Sequence, residues 1–159
     1  MSNESQHIRL ARNEDIPELA RIFRETILHV NRADYDARQI AIWASAADRP
    51  GTWNDRLASQ YFLVWDSGAG IGGFACMTKQ GYLDLMFVSH LHLRKGIASS
   101  LLFRLIKYAK DIGLASLGTE SSITAKPFFE KHGFSVVQEN EKEWEGVSFI
   151  NYFMVVHFI

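Results

Sequence analysis

The chain has 159 residues, 47% of them hydrophobic and 22% charged, with 17 Lys and Arg against 18 Asp and Glu. These proportions exclude a disordered or fibrous protein, and the net charge of −1 gives no electrostatic reason to expect nucleic acid or an anionic membrane as partner. The length fits one domain over residues 1–159, and Cys76, the single cysteine, excludes an intrachain disulfide. A polar start without an apolar secretion segment predicts a cytoplasmic location.

The first half of the chain predicts a strand, two helices and a strand pair. Ile8–Ala11 alternates as a strand does, and Asn13 is then expected to cap a helix with an apolar stripe. A second helix is expected around residues 38–44. Apolar runs at 61–65 and 71–78 predict two strands joined by a glycine-rich turn.

That turn spells Gly68-x-Gly70-x-x-Gly73, which has the letter spacing of a dinucleotide-binding fingerprint. The fingerprint requires a helix directly after its glycines, so that the helix N-terminus faces a pyrophosphate. Here the glycines lead into Phe74–Thr78, which has strand character. A hairpin is therefore favoured over a nucleotide-binding dehydrogenase.

The second half predicts a central strand and then a strand–helix–strand unit. Tyr82–Val88 is almost continuously apolar, as a strand buried in the middle of a sheet should be. Residues 96–112 predict a helix that ends at Gly113. Its apolar stripe is formed by Ile97, Leu101, Leu105 and Ile112. The remaining elements are a strand at 115–119, a short helix at 124–132, and strands at 134–138 and 147–154.

The segment between the central strand and the long helix carries the clearest chemical signal. The helix opens on Gly96, Ala98 and Ser99, small residues that let an anion approach the unpaired N–H groups of a helix N-terminus. Arg94 and Lys95 add positive charge beside them. The segment fits a phosphate or pyrophosphate cradle, although tight helix packing with two solvated cations would explain the same residues.

Leu93-Arg94-Lys95-Gly96-Ile97-Ala98 resembles the acetyl-CoA-binding motif of the GNAT superfamily of N-acetyltransferases. That motif consists of Gln or Arg, two residues of any type, Gly, one residue of any type, and then Gly or Ala. Both small residues match, and Leu93 departs from the usual Gln or Arg. Segments 8–12 and 122–134 resemble the first strand and the late helix of the family. The likeness implies a GNAT fold, an α/β domain with a mixed central sheet of about seven strands and helices on both faces.

The resemblance implies that acetyl-CoA is the cosubstrate, with its pantetheine arm in a gap beside strand 82–88. Backbone groups of Met86, Phe87 and Val88 would bond the acetyl carbonyl and the pantetheine. Ser122 stands where the family commonly has an Asn that contacts the cofactor. The pyrophosphate would be held by amides of Arg94, Lys95, Gly96, Ile97, Ala98 and Ser99.

An alkylammonium with an unperturbed pKa near 10.4 is mostly protonated at neutral pH, so the acceptor amine needs a base or a proton path. Asp84 is the first candidate, because it is the only carboxylate in an apolar strand and alternation would place it on one face with Tyr82 and Met86. An ion pair with Arg or Lys is the structural alternative. Glu120 is the second candidate, and its alternative is a surface carboxylate.

The residue that protonates the leaving thiolate is missing from its usual place. Many GNAT enzymes have a Tyr where this chain has Phe129, which has no proton to give. Tyr152 is a possible substitute, and core packing is its alternative. A thiolate with a pKa around 8.5 is also a tolerable leaving group without an acid.

Two further groups of residues have both functional and structural interpretations. His90-x-His92 has no evident third ligand, so surface-loop residues are favoured over a metal site. The region between the first helices, where the family usually builds its acceptor pocket, contains aromatic and amide side chains that could line it or fill the core. These are Asn31, Tyr35, Trp43 and Trp53.

The residues support two functions from different classes. The first is an N-acetyltransferase acting on a primary amine of a small molecule or peptide, and the resemblance adds the homodimer that GNAT proteins often form. The second is a non-catalytic module that binds or senses acyl-CoA, which Leu93 and Phe129 would favour. The identity of the acceptor cannot be read from these residues.

Overall fold

The computed structural model describes residues 7–159. The helices in these residues are α1 (Ile16–His29), α2 (Ala37–Ser45), α3 (Asn54–Ser59), α4 (Ile97–Asp111) and α5 (Lys126–Lys131). The strands are β1 (Ile8–Leu10), β2 (Tyr61–Asp66), β3 (Ile71–Met77), β4 (Tyr82–Val88), β5 (Ser116–Ser121), β6 (Ser135–Trp144) and β7 (Val147–His157).

The seven strands form one mixed sheet in the order β1-β2-β3-β4-β5-β7-β6. Neighbouring strands are antiparallel except β4 and β5, which are parallel. The β2–β3 pair confirms the hairpin that the glycine-rich joint predicts, and Ser67 N–H donates to Gly70 O across the turn. A hairpin leaves no helix N-terminus behind these glycines, so the dinucleotide interpretation is wrong.

Helices cover both faces of the sheet. As a consequence, β3 is buried on both sides, and its side chains alternate between two cores. Ala75 and Met77 pack in one core with the apolar stripe of α4, and Phe74 and Cys76 pack in the other with α1 and α2. Cys76 is fully buried, as its apolar neighbours predict. This architecture confirms the predicted mixed seven-stranded sheet with helices on both faces.

The start of α1 differs from the sequence prediction. Asn13 opens a short 3-10 turn, Asn13–Asp15, and the α-helix begins at Ile16 with Pro17 in its first turn. Asp15 rather than Asn13 organises this turn, since its carboxylate accepts a hydrogen bond from Arg12 N–H and pairs with the Arg9 guanidinium at 2.8 Å. The ion pair, in which Asp15 is buried, joins β1 to α1.

Three other elements differ at their ends. Ile112 was expected on the apolar stripe of α4, but it lies just beyond the last helical residue and is 43% exposed, so its assignment to the core was wrong. Gly113 ends the helix with φ +87°, as expected of a C′ glycine. Helix α3 was not predicted, and the strands β6 and β7 are longer than the apolar runs at 134–138 and 147–154 indicate.

Candidate active site

The parallel strands β4 and β5 separate after two residue pairs, and a cavity opens where they part. Their register contains only Tyr82↔Gly118 and Leu83↔Thr119, so no strand of residues 7–159 lies beside the rest of β4 on that edge. The cavity has a volume of about 440 Å³. Its walls come from the ends of both strands, from α2 and α5, and from the β6–β7 hairpin. Met86, Phe87 and Ser122, three of the predicted cofactor contacts, line it, and so does Phe129, which the resemblance also places beside the cofactor.

A β-bulge sets which side chains of β4 face which side of the sheet. Met77 pairs with Leu83 while its neighbour in β3, Cys76, pairs with Leu85, which leaves Asp84 as the extra residue of the bulge. Leu83 and Met86 therefore pack in the same core despite their odd spacing. The expectation that Asp84 and Met86 share one face was wrong, because the bulge reverses the alternation between them.

Asp84 lines the cavity and is also held by two donors from the region of α3. The Arg56 Nε atom lies 2.7 Å from Asp84 Oδ2, and Gln60 Nε2 lies 2.8 Å from the same oxygen. The Asp84 side chain is 19% exposed. The ion pair that the sequence left open as an alternative is thus present. Both bonds fall on Oδ2, so Oδ1 has no donor among residues 7–159.

Glu120 lies on the β5 side of the cavity at the centre of a hydrogen-bond network. Its Oε1 atom accepts from the Tyr82 hydroxyl at 3.2 Å, and its Oε2 atom accepts from Lys142 Nζ and from Asn151 Nδ2. Burial alone would raise the pKa of Glu120, but the bonds from Lys142, Tyr82 and Asn151 hold that pKa below its ordinary value. Glu120 is therefore a firmly ionised carboxylate.

Phe129 and Ser122 line the cavity and also contact neighbouring residues of the chain. The Phe129 ring is buried between Phe128 and Phe134, with ring centroids 5.3 and 5.1 Å away. Ser122 Oγ accepts a hydrogen bond from Ala125 N–H and fastens the turn that leads into α5. Tyr152 packs instead against the core beneath α4, the structural alternative that the sequence left open.

The loop between β4 and α4 ends in two residues with left-handed backbone conformation. Arg94 has φ 63° and Gly96 has φ 81°, and Gly96 precedes the first helical residue, Ile97. Arg94, Lys95 and Gly96 are exposed, and a Cβ atom built on Gly96 would meet no atom of the described chain, residues 7–159, within 4 Å. The first turn of α4, which includes Ala98, thus begins beside open space with no side-chain cap, as an anion site requires.

Val88 and Ser99, the outer members of the predicted set, are both partly buried and tied to other elements. The Val88 carbonyl accepts a hydrogen bond from Thr26 Oγ1 at 3.1 Å. Ser99 Oγ lies 3.0 Å from His132 Nε2, and His132 Nδ1 lies 2.9 Å from Phe128 O. Because a carbonyl oxygen only accepts, His132 carries its proton on Nδ1, and in the neutral ring Nε2 accepts from the Ser99 hydroxyl.

The two histidines of His90-x-His92 lie in a 3-10 turn and contact different neighbours. His90 stacks on His29 with ring centroids 4.2 Å apart, whereas the His92 ring lies 5.7 Å from that of Trp65. Within residues 7–159, no three His, Cys, Asp or Glu side chains are arranged to hold a metal ion.

Only two of the four residues proposed for the acceptor side reach the cavity. Tyr35 and Trp43 line it, with ring centroids 5.2 Å apart. Trp53 is buried against Phe23 and Phe74, and Asn31 is buried and does not line the cavity, so neither forms the pocket wall.

Sequence reasoning missed the contribution of the β6–β7 hairpin. Glu145 and Gly146, with φ 51° and 77°, form a two-residue turn of the type that suits twisted strands. The strands leading into and out of it line the cavity through Lys142, Glu143, Trp144, Phe149, Ile150 and Asn151. A polar Asn151 inside the apolar run of β7 was the one signal available.

None of the helices in residues 7–159 is long and apolar enough to cross a membrane. A family model described as an acetyltransferase (GNAT) domain matches residues 31–156. The chain is also 34% identical over 140 residues to the Uncharacterized N-acetyltransferase YafP of Escherichia coli K12, covering 88% of each protein.

Solved structures show the same fold. A GCN5-related N-acetyltransferase from Rhodopseudomonas palustris is 28% identical with a TM-score of 0.90, covering 95% of this chain and 94% of that one. PaiA N-acetyltransferase from Thermoplasma acidophilum, solved in complex with coenzyme A, is 17% identical with a TM-score of 0.77 over 95% and 98% of the chains. The parted central strands and the uncapped start of α4 agree with these similarities. The family model and the relative from Escherichia coli show that the chain belongs to the GNAT family of acetyltransferases.

Proposed function

We propose that this enzyme transfers the acetyl group of acetyl-CoA directly to the primary amine of a small molecule or peptide. The observation that carries the proposal is the cavity between β4 and β5, the two strands that α4 connects. Parted strands give a thioester arm a place to lie, and an uncapped helix start gives a diphosphate its donors. Membership of the family supplies the reaction class.

The residues present fit acetyl-CoA as cosubstrate. Beyond Leu83 the free edge of β4 can offer backbone groups of Met86 and Val88 to the pantetheine amides and the acetyl carbonyl. The backbone groups of Phe87, which was also proposed as a contact, face β3, because backbone groups alternate between the two edges of a strand. Gly96 leaves open space before α4, where the amides of residues 94–99 can hold the diphosphate. Bound there, acetyl-CoA supplies an acyl group activated as a thioester.

The chemistry requires little more of the protein than positioning of the two substrates and a route for the protons that the amine loses. The amine nitrogen attacks the thioester carbonyl carbon, a C–N bond forms, the C–S bond breaks, and the thiolate leaves with the electron pair. A backbone N–H near the β4 bulge would stabilise the oxyanion that develops on the carbonyl. The amine must lose its proton before it attacks, and Asp84 Oδ1, which has no donor among residues 7–159, is the proposed acceptor, directly or through water.

Glu120 and Phe129 have other proposed roles. A carboxylate whose pKa is held low is a weak base, so Glu120 is proposed to attract the ammonium form of the acceptor rather than to deprotonate it. Phe129 supplies a dry wall beside the thioester. The amine nitrogen loses one proton before it attacks and a second as the amide forms. The first passes to solvent through Asp84. The second passes to the leaving thiolate, directly or through water, without a protein acid.

Release of free thiol from acetyl-CoA, measured over a panel of primary amines, tests the proposal. Thiol should appear only when acetyl-CoA and a suitable amine are both present, and the acetylated amine should form in equal amount. Tight binding of CoA with no turnover over a broad panel of small amines and peptide N-termini would contradict it and favour a module that only binds acyl-CoA.

A further inference from the structure

Asn151 lines the cavity, and its amide has a buried hydrogen-bond acceptor without a partner in residues 7–159. It lies in β7 opposite Asn140, and its Nδ2 atom donates to Glu120 Oε2 at 3.2 Å. A carboxylate oxygen only accepts, so the amide is oriented with Nδ2 toward Glu120. The other atom, Asn151 Oδ1, is buried and receives no hydrogen bond from residues 7–159. Since buried polar atoms are almost always paired, this oxygen points to a donor that a ligand provides.

The charged side chains that line the cavity include more carboxylates than cations. The carboxylates that line the cavity are Asp84, Glu120 and Glu143, whereas Lys142 is the one lining residue with a permanent positive charge in the described chain. Lys142 is paired with Glu120, and Asp84 is paired with Arg56, which leaves Glu143 as the lining carboxylate without an ion-pair partner in residues 7–159. The site therefore favours an ammonium group and disfavours a second anion beside it.

The rest of this side of the cavity is aromatic. Tyr35, Trp43, Trp144 and Phe149 line it, and the Arg49 guanidinium lies 4.1 Å from the centre of the Trp144 ring. Arg49 also pairs with Glu145 at 3.3 Å, so the loop after α2 fastens the hairpin turn. Fixed aromatic walls suit an apolar or aromatic body attached to a cation.

We propose that Asn151 Oδ1 accepts a hydrogen bond from the acceptor amine beside Glu120, in a subsite for primary amines that have an apolar or aromatic body and no neighbouring carboxylate. The inference rests on the proposed function and deepens it. Asn151 is a specificity-determining residue that touches the amine. A carboxylate on the amine-bearing carbon would lie near Glu120 and Glu143, and Lys142, the one cation lining the described cavity, is already paired.

The substrate class is tested with 2-phenylethylamine and phenylalanine, which differ only in the carboxylate. We expect kcat/KM for 2-phenylethylamine to be at least roughly tenfold higher, the factor set by one unfavourable charge contact. Equal values, or a preference for phenylalanine, would overturn the substrate class.

The role of Asn151 is tested with Asn151→Leu, which keeps the approximate shape and removes both the acceptor oxygen and the Nδ2 donor to Glu120. Tyr82→Phe removes another donor to Glu120 and leaves Asn151 in place, so its smaller effect on KM measures the part that comes from Glu120 alone. With Asn151→Leu, KM for 2-phenylethylamine should rise roughly tenfold or more, as for loss of a hydrogen bond to a charged group, while KM for acetyl-CoA stays unchanged. Asn140→Leu makes the same change directly across the strand pair, outside the cavity lining, and should leave both constants unchanged. If both Leu variants change both constants alike, Asn151 is structural and the inference fails.

Equilibrium binding separates this inference from the proposed function. Calorimetry with CoA and 2-phenylethylamine measures amine binding whether or not acetyl transfer occurs. Binding to the wild type that Asn151→Leu weakens supports the subsite even if no thiol is released. Absence of amine binding in the presence of saturating CoA overturns the subsite even if other amines are acetylated.

Discussion

Substituting Gly96 by Glu, with Gln as its neutral counterpart, tests the anion site at the start of α4. Both side chains have the same length, and neither Cβ atom would meet protein within 4 Å. Gly113 at the other end of α4 provides a matched pair of controls, because it has φ +87°, close to the +81° of Gly96, and the same open surroundings.

The substitutions have two separate effects, a loss of folding stability and a loss of affinity for CoA. A non-glycine residue in the left-handed region costs about 1–2 kcal/mol of folding stability, or roughly 2–8 °C in Tm for a chain of this size, at either position and with either side chain. Only Gly96→Glu adds a negative charge beside the proposed diphosphate. At a separation of about 6 Å, each phosphate charge costs between about 0.7 kcal/mol in water and about 3 kcal/mol near a protein surface. The corresponding loss of affinity is roughly 3- to 100-fold.

Thermal unfolding gives Tm for the four variants, and titration calorimetry gives Kd for CoA. The two Gln variants should lose similar stability, whereas Gly113→Glu should lose more than Gly96→Glu, because a negative charge is unfavourable at a helix C-terminus and favourable at an N-terminus. Kd should rise strongly for Gly96→Glu, less for Gly96→Gln, and not at all for the Gly113 variants. The salt dependence of Kd should be steepest where the cradle is intact, in the wild type and in the Gly113 variants. If Gly96→Glu binds CoA as tightly as Gly113→Glu, the start of α4 does not hold the diphosphate.

Two other predictions concern carboxylates. Asp84→Asn should lower kcat roughly 10²- to 10⁴-fold with little change in Kd for CoA, because it removes the proton acceptor and leaves the cradle intact; an unchanged pH–rate profile would exclude Asp84 as the base. Asp15→Asn should remove part of the acid sensitivity of folding. The hydrogen bond from Arg9 lowers the pKa of Asp15 in the folded protein, so the pair stabilises the fold above the unfolded pKa of about 3.9 and loses this effect as the pH falls below it. Urea unfolding from pH 3 to pH 7 measures the difference, and parallel curves for the variant and the wild type would contradict this role.

The elements of the fold are set largely by local sequence pattern. The alternating and continuous apolar runs of β2, β3 and β4 and the stripe of Leu101 and Leu105 on α4 report directly which side chains are buried, because periodicity is a property of the backbone geometry. The glycines at 68–73 likewise indicate a turn, since they lead into a strand and not into a helix. The start of α4 was also readable, as Gly96 permits the left-handed conformation before the helix.

The hydrogen-bond and ion-pair partners of the side chains could not be predicted from the sequence, because the partners lie far apart along the chain. The sequence left open whether Asp84 is a base or an ion-pair partner. The structure places Arg56, which lies 28 residues earlier in the chain, 2.7 Å from it. Its direction also depended on a bulge against β3, which no alternation pattern in β4 reports. Glu120 likewise owes its low pKa to Lys142 and Asn151 from two other strands.

The sequence by itself determined the order of strands and helices and the opening of α4, since each of these depends on residues a few positions apart. Only the tertiary structure decided which residues form the acceptor side of the cavity. It brought Trp43 from α2 to the same cavity as Trp144 and Asn151 from the final hairpin. The pairing of β5 with β7 places that hairpin beside the gap, and such long-range pairing leaves no periodic trace in the strand that it positions.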